Sequence, residues 1–153
     1  MIVYLDTSIL VSTLYEEVAN PEQAEAVGRL FSQFHTRRVQ GLVTFYTLPE
    51  LHSYVVRHYS EQVIDETFRL SLVRLFSTPL IIKPFVDRVE LEKLRRRFTI
   101  SDAGDVYHVA AALFFECSGI ITFDHHFRQV SNLIPVYTPD EFLATLESAP
   151  PPE

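Results

Sequence analysis

Short apolar runs recur along this chain, and they are too uniformly hydrophobic for a sheet with one wet face. Residues 2–5 (Ile-Val-Tyr-Leu), 42–45 (Leu-Val-Thr-Phe), 80–82 (Leu-Ile-Ile), 120–123 (Ile-Ile-Thr-Phe) and 134–137 (Ile-Pro-Val-Tyr) read as strands buried on both sides. Helical patterns lie between them. That alternation predicts an α/β fold whose central, mainly parallel sheet of four to five strands is covered on both faces. At 153 residues with 47% hydrophobic composition, the chain suffices for one domain with a substantial core. The predicted domain spans residues 1–147, and a Pro-rich tail over 148–153 is expected to be disordered.

The helices carry their own punctuation. Residues 9–15 predict a short helix after the first strand. Asn20-Pro21-Glu22-Gln23 supplies an N-cap, a proline at the first helical position and a Gln at the third. The helix it opens has Val27, Leu30, Phe31 and Phe34 at core spacing. Thr47 to about His58 predicts another, with Leu51, Val55 and Val56 inward. Ser60 is placed to cap a helix reaching Phe76, whose apolar residues on several faces imply deep burial or a partner interface. Residues 85–98 read as a helix closing on Arg95-Arg96-Arg97. From Ser101 onward, Val106, Val109, Ala110, Leu113 and Phe114 form the stripe of a packed helix, with Gly119 as its C′ glycine. Thr138-Pro139-Asp140-Glu141 spells a capping box for a helix through Leu146.

Several classes fall away. A single cysteine excludes an intramolecular disulfide. Asp6 interrupts the N-terminal apolar run too early for a signal peptide, and no stretch has the length of a membrane span, so a cytoplasmic protein is expected. A net charge of −7 argues against broad, nonspecific nucleic-acid binding while permitting a local basic lip.

Parallel sheets place functional groups at the carboxyl ends of their strands. Asp6 follows the first strand and Asp124 the fourth. Glu50 falls in the first turn of the helix after the second strand, and Asp102 and Asp105 share one face of the first turn of the helix before the fourth. Each has a plainer reading: Asp6 and Asp124 as turn aspartates, Glu50 as the partner of Thr47 in a capping box, Asp102 and Asp105 as complements to a helix dipole. Their conjunction on one edge outweighs those readings. Two carboxylates about 4 Å apart repel by about 4 kcal/mol at an effective dielectric near 20. Several such pairs rival a domain's whole stability of roughly 5–15 kcal/mol. Such a cluster must hold protons or bind a cation. Oxygen ligands without a Cys/His set indicate Mg²⁺ or Mn²⁺, one or two ions, and hence metal-assisted phosphodiester hydrolysis.

Asp6-Thr7-Ser8 after an N-terminal strand, Glu50 opening the helix after the second, Asp105-Val-Tyr-His-Val-Ala-Ala-Ala, and Thr122-Phe-Asp124-His-His-Phe together resemble the PIN-domain ribonucleases. They are particularly similar to the small, single-domain VapC-type toxins of toxin–antitoxin pairs, from Met1 to about Leu146. The resemblance implies a three-layer α/β/α sandwich and a Mg²⁺- or Mn²⁺-dependent endoribonuclease cutting single-stranded or structured RNA. It implies metal binding and catalysis by Asp6, Glu50, Asp105 and Asp124, with Thr7, Ser8, Asp102 and Thr122 in the surrounding shell. It also implies an antitoxin partner. Pro49, just before Glu50, departs from the family pattern and bears on where Glu50 points.

Arg95, Arg96, Arg97 and Arg128, with Arg37 and Arg38, are candidate RNA contacts, although an arginine run at a helix C-terminus also complements the dipole. His108 reads as a satisfied or exposed histidine rather than a ligand, and Tyr107 as a packed tyrosine with base stacking as its alternative. A homodimer through the helices between Glu50 and Phe76 is expected. Two competing functions are a catalytically idle binding module and a phosphatase of haloacid dehalogenase type. The phosphatase requires a second Asp where Ser8 stands.

Overall fold

The computed structural model of the chain describes residues 1–15, 20–36 and 38–148. Five strands, β1 (Ile2–Leu5), β2 (Gln40–Thr44), β3 (Ile81–Lys83), β4 (Ile120–Ile121) and β5 (Val136–Tyr137), form one sheet in the order β3-β2-β1-β4-β5. Every pairing is parallel. The chain builds outward from β1 to β3, then returns to the other side of β1 for β4. The order therefore reverses between β1 and β4, whose register pairs Leu5 with Ile121. Crevices at the carboxyl edge of open parallel sheets form at such a reversal.

Alternation along β1 divides the core. Val3 and Leu5 face a cluster completed by Leu10 of α1 (Thr7–Leu14), Leu30 of α2 (Pro21–His35), Leu51 of α3 (Thr47–His58), Leu75 of α4 (Ile64–Phe76) and Phe142 of α7 (Pro139–Ser148). Tyr4 faces the other way, into Val109 and Ala112 of α6 (Asp105–Phe114), with Leu91 of α5 (Arg88–Arg95) packed behind. The result is a three-layer α/β/α sandwich. Each fully buried Leu, Ile or Val contributes about 1.5–3 kcal/mol, so the two layers together hold the sheet shut.

Several boundaries differ from those the sequence suggests, each for a local reason. Strand β4 stops at Ile121: the Thr122 amide still donates to the Tyr137 carbonyl at 2.9 Å, but the amides beyond it turn to side chains, Phe123 donating to Ser8 Oγ at 3.1 Å and Asp124 to Thr122 Oγ1 at 2.9 Å. Helix α5 begins only at Arg88, where Asp87 accepts from the Val89 and Glu90 amides. Helix α6 begins at Asp105 rather than near Ser101, so Asp102 lies in the preceding turn, its Oδ1 accepting from the Gly104 amide at 2.6 Å. Glu116, not Gly119, takes the left-handed position after α6, with φ 53°. The Glu116 and Cys117 amides donate back to Leu113 and Ala112, a Schellman closure. Gly119 instead permits close approach, since a Cβ there would meet Tyr137 at 3.0 Å. Ser60 makes no side-chain cap; a 3₁₀ turn, Glu61–Val63, leads into α4. The capping box at Thr138 and Glu141 forms in both directions.

Helix α4 is not deeply buried. Leu70, Val73 and Phe76 are exposed, as are Val63 before it and Val56 of α3, which the sequence turned inward. Phe114, expected in the core stripe of α6, is also exposed. None of the helices among the described residues is long and apolar enough to cross a membrane. Residues 149–153, the bulk of the expected tail, and Arg37 lie outside the described residues.

Candidate active site

At the reversal point β1 ends on Asp6, which is buried and caps α1. Its Oδ2 accepts from the Ser8 amide at 3.2 Å, Ser8 Oγ at 2.7 Å and Thr122 Oγ1 at 2.9 Å. Each hydroxyl has a single proton directed at Asp6, so the 3.3 Å Ser8–Thr122 contact is proximity rather than a second bond. Both readings of Asp6 hold together: it is a capping aspartate and a member of the cluster. Asp124 behaves likewise, capping the 3₁₀ turn His125–Val130 through the His126 amide at 2.8 Å.

Glu50 is in the first turn of α3, where Pro49 is tolerated because the amides there need no intrahelical partner. The capping-box reading fails for this residue. Thr47 donates to Thr44 O at 2.9 Å, while Glu50 turns to the cavity and its Oε2 accepts from Thr7 Oγ1 and His108 Nε2, the latter at 2.9 Å.

Asp6, Glu50, Asp102, Asp105 and Asp124 line one open cavity of about 410 Å³, together with Thr7, Ser8 and Arg57. The volume holds a hydrated ion and a phosphate with room to spare. Asp105 Oδ2 is buried with no hydrogen-bond partner among the described residues. Burial, then repulsion from Asp6, Asp102 and Asp124, pushes the Asp105 carboxyl from 3.8 up to about 7. An orphaned, strained carboxylate facing an all-oxygen acid ring is the environment a hard divalent cation relieves, so the donor set fits Mg²⁺ or Mn²⁺. Farther out, Asp124, His125 and His126 bring one ligand atom each within 4.8 Å of one another.

Behind Glu50 runs a buried chain that sequence reasoning did not assemble. Of the two readings open to it, satisfied or exposed, His108 takes the first: Nε2 meets Glu50, and Nδ1 lies 2.8 Å from the Tyr4 hydroxyl, itself 2.8 Å from Thr44 Oγ1. Burial pulls the imidazole down, but the Glu50 hydrogen bond and the charges of Asp6, Glu50 and Asp105 outweigh it and raise its pKa. Burial likewise pushes the Glu50 carboxyl up, yet the hydrogen bond and charge of His108, with Thr7, hold it below its ordinary value. With His108 protonated, the donors run one way, from Nε2 to Glu50, from Nδ1 to Tyr4 and from Tyr4 to Thr44. The signal for His108 was its place one turn after Asp105.

The arginines divide. None of Arg95, Arg96, Arg97 and Arg128 lines the acid cavity. Arg95 pairs with Glu92 at 3.2 Å, and Arg128 is engaged by Glu141 and the Val136 carbonyl. Arg96 and Arg97 border a separate polar cavity with Gln129 and Asn132. Arg38 precedes β2 and so sits at the amino edge, away from the acids. Arg57 is the cation at the cavity, seven residues beyond Glu50 on the same face of α3, a spacing that could have revealed it.

Comparison with known proteins agrees with this architecture. A family model described as PIN domain matches residues 2–126, from β1 through the turn holding Asp124. FitAcB from Neisseria gonorrhoeae superposes with a TM-score of 0.61 at 20% identity, covering 90% of this chain and 97% of that one. VapBC2 from Rickettsia felis, solved bound to a DNA fragment from its promoter, gives 0.60 at 18%, covering 89% and 97%. VapBC-5 from Mycobacterium tuberculosis, a member of the VapBC family of toxin–antitoxin systems, gives 0.53 at 18%, covering 90% and 97%. No curated protein matches the sequence. With the family model spanning most of its length and the same fold in these structures, the chain belongs to the PIN domain family.

Proposed function

We propose that this protein is a Mg²⁺- or Mn²⁺-dependent endoribonuclease of VapC type, hydrolysing phosphodiester bonds of single-stranded RNA as the toxin of a toxin–antitoxin pair. The observation that carries the reading is Asp105: a buried carboxylate oxygen without a partner among the described residues, in a cavity shared with Asp6, Glu50, Asp102 and Asp124. Asp6, Glu50, Asp105 and Asp124 would hold the ion, which when bound supplies an acidified water and polarises the phosphoryl oxygen.

The chain's own contribution is placement. Three donors fix Asp6, and Thr7 with His108 fixes Glu50, so neither carboxylate has to reorganise when substrate arrives. Arg57 offsets the acid ring's repulsion of an incoming phosphate. Arg96 and Arg97, in their own cavity, offer a second phosphate contact. Ser8 donates to Asp6 where a haloacid dehalogenase phosphatase needs its second Asp, which disfavours that alternative. An idle binding module has no use for the Asp105 environment.

The exposed apolar stripe of Val56, Val63, Leu70, Val73 and Phe76 supports a homodimer or antitoxin contact on α3 and α4. The structures this fold resembles are toxin–antitoxin complexes. The test is cleavage of a single-stranded RNA by purified protein. Cutting in Mg²⁺ or Mn²⁺ that stops in excess EDTA is expected; undiminished cutting in EDTA would refute the proposal.

A further inference from the structure

Phe85 and Tyr107 are large, exposed rings, 55% and 40% accessible, yet they are not loose. Tyr107 lies against Tyr46 with centroids 4.9 Å apart and planes at 33°, and Phe85 meets Tyr46 edge-on at 4.8 Å and Phe45 at 5.9 Å. Tyr46 itself is partly buried and packed against the core layer beneath α6. The rings thus brace one another, and little side-chain freedom remains to be lost on binding.

Their position is the telling feature. Phe45 and Tyr46 follow β2, Phe85 follows β3, and Tyr107 is in the first turn of α6. All lie at the carboxyl edge of the sheet, as the acids do. Tyr46 opens α3 one turn before Glu50, about 6 Å along the helix axis, and Arg57 follows on the same face. One side of α3 therefore presents an aromatic group, a carboxylate of the cavity and a cation in sequence. The apolar stripe suited to a protein partner is a different surface, on α4, its approach and Val56 near the end of α3.

We propose that Tyr46, Phe85 and Tyr107 form a stacking platform for an unpaired base of the RNA strand whose phosphate enters the acid cavity. The platform rests on the nuclease reading and adds a base contact to the phosphate contacts of that reading. It binds the base by its face, so it selects single strands over duplex and tolerates base identity.

The test uses the full chain carrying Asp105→Asn, which keeps RNA intact, and two labelled oligoribonucleotides of one length, one with bases and one abasic. Anisotropy titration should show the abasic strand binding about 5- to 100-fold more weakly. Phe85→Ala and Tyr107→Ala should weaken the base-containing strand by a similar factor and leave the abasic strand unchanged. Tyr107→Phe, which keeps the ring, should restore affinity. Equal affinity for the two strands, or alanine variants that bind like the parent, would overturn the platform. So would alanine variants whose sole change is in self-association by sedimentation, since the rings would then contact protein. Whether the unmutated chain cuts the base-containing strand in Mg²⁺ is read separately, so failure of the nuclease reading is distinguishable.

Discussion

His108 Nε2 lies 2.9 Å from Glu50 Oε2, and the same ring reaches the Tyr4 hydroxyl on its far side. One turn of α6 thus supplies both an acid of the cavity, Asp105, and the support that aims another from α3. Partners of this kind, one step behind a metal-binding carboxylate, typically contribute 10- to 100-fold to affinity or rate. His108→Ala is expected to lower RNA cleavage and Mn²⁺ affinity by about that factor. His108→Gln, whose amide can still donate to Glu50, should recover part of the loss. Titration calorimetry beside a cleavage assay checks this, and an unaffected Mn²⁺ affinity in His108→Ala would count against the support role.

The raised Asp105 pKa fixes the sign of a pH effect in the metal-free chain. Its folded value, about 7 against an ordinary 3.8, means the folded state binds that proton more tightly than the unfolded state. The stabilisation is full below about pH 4 and is lost as pH rises through about 7. His108, also raised, acts in the same sense, whereas lowered Glu50 acts oppositely only at more acid pH. Thermal melts in EDTA should therefore give a falling Tm from pH 5 to pH 8. A flat profile would show that Asp105 is not strained.

Asp105→Asn should separate function from stability. Removing the crowded charge is expected to flatten that pH profile and raise the Tm at pH 8, while abolishing metal-dependent cleavage. Melting curves and a gel assay on one preparation decide it; a variant less stable than the parent at pH 8 would contradict the repulsion account.

A stability change without a functional one is expected at the other end of the chain. Glu141 accepts from the Thr138 amide at 2.8 Å and from Arg128, closing the capping box of α7 outside the cavity. Glu141→Ala should lose about 1 kcal/mol, read as a denaturation midpoint shift, with cleavage per folded molecule unchanged.

On the exposed stripe, Leu70→Asp with Val73→Asp should convert an associated protein to a monomer by light scattering at tens of micromolar, since both side chains face solvent in the isolated chain. A parent already monomeric at that concentration would remove the homodimer from the account.

The sheet and the gathering of acids at its carboxyl edge were legible because they depend on local pattern. Buried parallel strands must be apolar throughout, and carboxylates at their ends stand out against that background. Asp6 beside Asp124 could be anticipated once Ile2–Leu5 and residues 120–123 were read as strands, although their adjacency is a property of the strand order. The tertiary partnerships were not legible. Tyr4 reads as a core residue, Thr44 as a strand residue and His108 as a satisfied or exposed histidine; their joining into one chain behind Glu50 needs three elements to pack. Glu50 itself matched a capping box, and only the turn of Thr47 toward Thr44 shows otherwise. Arg57, flanked by Val56 and His58, belongs to no arginine run of the kind that marks Arg95-Arg96-Arg97, and it is the fold that brings it to the cavity.

Asp6, Glu50, Asp105 and Asp124 are expected to hold one charge-relieving cation together. Calorimetric titration of Mn²⁺ into the metal-free chain at pH 8 tests it most directly. Saturable binding that is lost in both Asp6→Asn and Asp105→Asn is the predicted result. Absence of binding in the parent, or binding that survives in either variant, would contradict it.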